Sequence, residues 1–250
     1  MRNLYSLLKK EFNMYINSFV LYAVVTIFLV LSGYFFFTAV LRFDTFLINQ
    51  RVSITEGIFR QFFLDMVHVI CLTIPLLTMR LFAEEKKTGT IELLLTYPVK
   101  DIEIILAKYL ACLMVFSVML AMTGVYALTI SYIWKIEVKP VLAGYLGLFL
   151  LGCSFISIGI LISSFTKDQI TAAMVTFGIC LFFLTIAFNA GWAGFTGQKI
   201  LVHLSFLEHV NNFGKGIIRL SSVVHFVVFT VCFILFTRES LRSRYWRGLR

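Results

Sequence analysis

Charge is scarce in this chain. Asp, Glu, Lys and Arg supply 14% of its 250 residues, hydrophobic residues supply 60%, and the mean hydropathy is +0.91. A soluble domain carries about 25% charged residues, so a water-soluble globular protein is excluded. The turn chemistry of a β protein is also missing, and the apolar runs exceed the roughly 10 residues of a transmembrane barrel strand. That leaves helices. The five cysteines, Cys71, Cys112, Cys153, Cys180 and Cys232, lie in apolar runs with no paired spacing, which points away from disulfides and metal sites. No G-x-x-x-x-G-K-[ST] loop occurs, because Lys215 has glycine on both sides but none at the required earlier position. Nucleotide hydrolysis by this chain alone is therefore not expected. His203 and His209 are six apart, off the i,i+4 spacing of a helical metal pair. No small-residue cleavage site follows the first apolar run, so a retained span is expected there and not a signal peptide.

What is present is a succession of apolar stretches. A spanning helix needs about 20 predominantly apolar residues, and six stretches qualify, near 18–41, 61–82, 106–133, 141–164, 169–192 and 217–237. The expected fold is an all-α integral membrane protein, one domain over 1–250 with six transmembrane helices. Ahead of the first span, Leu4, Leu7, Leu8, Phe12, Tyr15, Ile16 and Phe19 recur at helical spacing opposite Asn3, Lys9, Lys10 and Asn13. This predicts an amphipathic interfacial helix over 1–17. Between spans five and six, a glycine-rich break at 191–197 precedes a mostly apolar run from Ile200 to Val210. That run is too apolar for solvent and too short to span, which predicts a re-entrant outer hairpin over 193–216.

The net charge of +9 does not imply nucleic acid, because most of the excess borders apolar runs. With six spans both termini share a side. That side holds 14 Lys and Arg against 8 on the other, which makes it cytoplasmic. Trp134 and Trp192 then fall at outer span ends, where indoles are favoured. Within the spans, Asp65 and His68 share a helical face near the outer boundary; against a proton or cation site stands the favoured structural reading, an Asp65 hydrated about one turn inside the interface. Pro75 is expected to kink span two, and Arg80 to snorkel toward the headgroups. Gly144, Gly147, Gly152, Ser154, Ser157 and Gly159 mark span four as a close-packing helix.

The most distinctive segment lies between spans two and three. Glu84, Glu85, Lys86 and Lys87 precede Thr88-Gly89-Thr90, then an apolar run from Ile91 to Leu95 containing Glu92, and Pro98 ends it. Apolar anchors such as Ile91, Leu94 and Leu95 beside charges suit a surface that docks a partner protein in fixed register. The competing reading is a solvated loop held near anionic headgroups by Lys86 and Lys87.

Arg80 with Phe82 through Thr96, then Pro98, Val99, Glu103 and Lys108, resembles the second-to-third span connection of ABC-2 type transporter permeases, closest to those associated with gliding motility. Ser157 through Ile170 is similar to the fourth-to-fifth turn of the same family, and Phe206 to Gly216 more loosely to its outer hairpin. The resemblance implies a permease subunit of an ATP-driven exporter in a bacterial inner membrane. It implies a homodimer partnered by cytoplasmic ABC ATPase subunits and an extracytoplasmic accessory protein. ATP and Mg would bind the ATPase, with no cofactor in this chain. The 83–100 segment from Glu84 to Leu95, together with Lys167 and Asp168, is then expected to couple to the ATPase, and Glu208, Phe213 and Gly214 to form an outer gate. The alternative is an ATP-driven mechanical component of an envelope or gliding assembly that moves no solute.

Overall fold

The computed structural model describes residues 2–43, 55–90, 101–134, 137–186 and 204–247, and every described element is helical. α1 (Arg2–Ile16) leads through Asn17 and Ser18 into α2 (Phe19–Arg42). A π-helical turn (Thr55–Phe59) runs into α3 (Arg60–Thr78), and α4 (Ala83–Lys87) follows after one turn. Then come α5 (Asp101–Ile133), α6 (Val138–Phe165), α7 (Gln169–Thr185), α8 (Phe206–Gly214) and α9 (Leu220–Arg247).

Five helical stretches are long and apolar enough to cross a membrane: Phe19–Arg42, Gly57–Lys87, Asp101–Ile133, Val138–Phe165 and Leu220–Arg242. α7 is also apolar but has 17 residues, about 26 Å of helix against a hydrocarbon core of about 30 Å. The rest of the fifth stretch, from 187 to 192, lies outside the described residues, as do Trp192 and the first part of the outer hairpin.

α6 is the hub of the bundle, and its small residues explain why. A methyl group on Gly144 would fall 1.9 Å from the Phe63 ring, and one on Gly159 2.1 Å from the Thr78 hydroxyl. Phe63 and Thr78 are both on α3, and each contact lies fifteen residues beyond the other on its helix, so α3 and α6 run parallel at backbone-limited separation. Gly152 receives Phe116 of α5, and Gly147 receives Phe213 of α8. The close packing expected from the sequence is thus distributed over three neighbours. α9 also runs parallel to α6: Ser154 Oγ donates to the Phe226 carbonyl at 3.3 Å, and ten residues on Ser164 Oγ meets Ser240 Oγ at 3.0 Å. α2 and α9 lie at the periphery and turn much of their apolar surface outward.

At the end far from α4, α8 buries Phe206, His209, Val210 and Phe213 against α3, α6 and α7. Phe206 sits among the Phe155, Phe183, Phe226 and Phe229 rings at centroid distances of 4.9–5.7 Å. His209 pairs with Ser222 at 2.9 Å and stacks on His225 at 4.6 Å, so its role here is packing. Asp65 accepts from Gln61 at 3.1 Å. Pro75 stays inside α3, one turn before its end; the chain breaks out of helix at 79–82, past the residue the sequence had marked.

Candidate functional site

The conspicuous polar cluster of the bundle lies where α1, α4, α5 and the end of α6 meet. Lys108 enters this junction from α5 with its side chain only 2% exposed. Its ammonium donates to both carboxylate oxygens of Glu11 at 3.1 Å and to Glu85 Oε1 at 2.7 Å, and sits 5.2 Å from the centre of the Phe82 ring. One cation thereby holds two carboxylates from helices 97 and 23 residues away in sequence. A buried ammonium persists only when paired and hydrogen-bonded, so this triad fixes α1 and α4 to α5.

A second set of contacts fastens α4 to α6, and it works in both directions. Ser163 Oγ accepts from the backbone N–H groups of Phe82 and Ala83, each at 3.0 Å, and donates to the Met79 carbonyl at 3.3 Å. The donors left open at the start of α4 are thus capped by a side chain some 80 residues away. In return, Lys86 Nζ donates to the carbonyls of Ser163, Ser164 and Thr166 at the C-terminus of α6, where a cation also meets the negative end of the helix dipole. α4 ends at Lys87, and two residues on the chain turns at Gly89, whose φ of +74° is a conformation glycine adopts freely.

Arg80 completes the junction. Its Nε donates to Glu84 at 2.9 Å and its guanidinium also binds Ser18 Oγ, in the link between α1 and α2. Tyr15 adds a bond from α1 to the Leu77 carbonyl at 3.0 Å.

The residues nominated from the sequence divide sharply. Glu85 and Lys86 face inward and hold the junction together, and both carboxylate oxygens of the half-buried Glu84 accept from Arg80. Lys87, Thr88, Gly89 and Thr90 are exposed, as are Lys167 and Asp168. The Lys86 bond to the Thr166 carbonyl brings the 83–90 and 165–168 segments side by side. Ile91, Glu92, Leu94 and Leu95 lie outside the described residues. At the other end, Glu208 is exposed, while Phe213 is fully buried against Gly147 and Gly214 lies 3.7 Å from Arg60 by its would-be methyl. Sequence reasoning missed Glu11 and the pairing of Lys108. The signal was available: Glu11 lies three and four residues from Leu8 and Leu7, on the apolar stripe of α1, and Lys108 interrupts the apolar start of α5. Removing Lys108 from the loop-charge count leaves 13 against 8, so the orientation argument stands.

The sequence matches the family described as ABC-2 family transporter protein over residues 5–241. The chain belongs to that family. It is a multi-pass membrane component of an ABC transporter, a class of subunit that is generally not itself an enzyme, and membership implies association with an ABC ATPase. The match in this ABC-2 protein does not reach the gliding-motility subtype, nor does it favour a mechanical role. No curated protein matches it. Among the described residues of this permease no group of three or more His, Cys, Asp or Glu could hold a metal ion.

Proposed function

We propose that this permease is the membrane subunit of an ATP-driven exporter, and that α4 with the α6–α7 turn receives the movement of a cytoplasmic ATPase. The observation that supports this most is the reciprocal capping of α4 and α6. A segment that transmits force must move with the spans above it, and α4 is bonded directly to α5 and the end of α6 and, through Lys108, linked to α1. The exposed Lys87–Thr90 stretch and Lys167–Asp168 lie on the outside of that braced junction, available to a partner. In this reading Glu85 works inside the permease, and the ATPase contact falls on Lys87 and its neighbours. The bilayer holds six passes, with α7 as the fifth, since parallel α6 and α9 require an odd number of crossings between them. Both termini are cytoplasmic in a bacterial inner membrane, two such chains pair, and an extracytoplasmic protein completes the assembly. Export as the direction rests on the resemblance.

Two outcomes test this reading. Cysteine at Lys139, exposed in the first turn of α6, should react with an impermeant thiol reagent added outside cells, and cysteine at Thr88 only after the membrane is opened. The reverse pattern would invert the topology. Charge reversal at Lys87 together with Thr90→Asp should reduce co-purification of the ATPase without altering the permease's own unfolding temperature, since burying an unpaired interfacial charge costs about 2–5 kcal/mol. Lys139→Glu is the control at the opposite end. Unchanged association in the Lys87 variant would remove the coupling assignment.

A further inference from the structure

A cavity of about 960 Å³ opens between α1, the start of α2 and α4, a size that accepts a small-molecule group. Its wall has three kinds of surface. Lys10 and Arg80 carry positive charge, Glu84 and Glu85 carry negative charge, and Phe19 and Val20 begin the apolar run of α2. Phe19 is 85% exposed, so the cavity lies where the protein passes from polar to apolar, the level at which lipid headgroups stand.

The hydrogen-bond inventory narrows the occupant. Glu85 Oε1 is taken by Lys108, but Oε2 is buried and has no hydrogen-bond partner. A buried carboxylate oxygen without a donor is costly. Arg80 commits one N–H from each of its three nitrogens to Glu84 and Ser18, and a guanidinium has five N–H groups. Two remain, and the exposed Lys10 lines the same cavity, so two cations are available to a phosphate. The wall thus offers an acceptor in need of a donor and donors in need of an anion, next to an apolar ramp.

We propose that this cleft binds a phospholipid whose head group ends in a primary amine. The phosphate lies against Arg80 and Lys10, the ammonium donates to Glu84 and Glu85, and the acyl chains follow Phe19 and Val20. A choline head group has no N–H to give Glu85, and a glycerol head group, with the same phosphate, has no ammonium to set against the two carboxylates. The bound lipid joins α1 to α4, so bilayer composition sets how firmly the junction is braced. This inference requires only that the chain sits in a bilayer and is independent of the ATPase contact.

The test uses the purified, delipidated full-length chain in detergent, with phosphatidylethanolamine, phosphatidylcholine and phosphatidylglycerol of matched acyl chains, read by native mass spectrometry and thermal shift. Phosphatidylethanolamine should be retained about tenfold over phosphatidylcholine, the worth of one or two charge-assisted hydrogen bonds. Glu84→Gln should erode that preference and Lys10→Gln should weaken retention of every phospholipid. Both residues are surface-accessible, so the fold survives, and Lys139→Gln at the opposite end should match wild type. Equal retention of all three lipids, preference for phosphatidylglycerol, or wild-type binding by both variants would overturn the proposal. So would protection by inorganic phosphate or soluble phosphoethanolamine equal to that of the lipid.

Discussion

Replacing Lys108 with Met should lower the stability of the purified permease by about 3–5 kcal/mol, the effect expected when one partner of a buried ion pair is removed and its counter-charges stay behind. Here two carboxylates stay behind, since Glu11 and Glu85 both lose their donor. Met keeps the volume and the contact with Phe82, so the loss reports charge and not a cavity. Glu11→Gln should cost less, because an amide oxygen still accepts from Lys108. The decisive comparison is the triple variant Glu11→Gln, Glu85→Gln, Lys108→Met. If the triad is electrostatic, neutralising all three should recover much of the loss, and α1 should again resist protease. The measurement is the thermal unfolding midpoint in detergent with limited proteolysis of α1. A Lys108→Met protein that melts with wild type would show that the triad contributes no stability and that α1 is held by its apolar face alone.

The glycines of α6 should give the second large effect. Gly159→Ala places a methyl 2.1 Å from Thr78 Oγ1 and 2.5 Å from Thr78 Cβ. Thr78 is β-branched and its hydroxyl already donates to the Ile74 carbonyl at 3.0 Å, so it has little freedom to rotate away. α3 and α6 must separate, at a cost of about 1–3 kcal/mol. The separation falls one turn from Ser163, so the capping of α4 should loosen with it, and ATP turnover should uncouple from transport more than the ATPase dissociates. Thr78→Ala removes two of the three clashing atoms and should restore part of the stability. Gly124→Ala and Gly178→Ala provide the opposite sign. Nothing lies within 4 Å of either added methyl, and alanine in a helix interior is favoured over glycine by about 0.5–1 kcal/mol. If the three glycine-to-alanine variants behave alike, close approach is not what α6 requires of glycine.

The predicted helices and the observed ones coincide closely because hydrocarbon leaves the backbone no alternative. An apolar run in lipid must satisfy its own N–H and C=O groups, and a helix does so within one segment. The boundaries of α2, α5 and α6 follow from that rule, as does the amphipathic α1 from its 3.6-residue period. The small residues of span four were legible as a packing helix for the same reason, since only small residues let two backbones approach. Their partners were not legible: nothing in the order of residues says that Gly144 meets Phe63 and Gly152 meets Phe116.

The candidate site was half legible. The run Glu84 to Lys87 stood out as charge between two spans, and one charge run next to another reads as a solvated, partner-facing surface. Sequence order cannot divide such a run into inward and outward members, because α4 is a single short turn whose facing is set by what it packs against. Tertiary structure made that division by bringing Lys108 to Glu85 and the α6 C-terminus to Lys86, leaving Lys87 to Thr90 outside. By itself, then, the sequence determined that the chain is helical, that it belongs in a bilayer, where several of its apolar helices lie, and which connection carries unusual chemistry. Those properties follow from local composition and period. Only the fold decided that α1 is a docked brace, that α4 is locked to α5 and α6, and which charges remain for a partner, because each depends on a contact between residues some 20 to 100 positions apart.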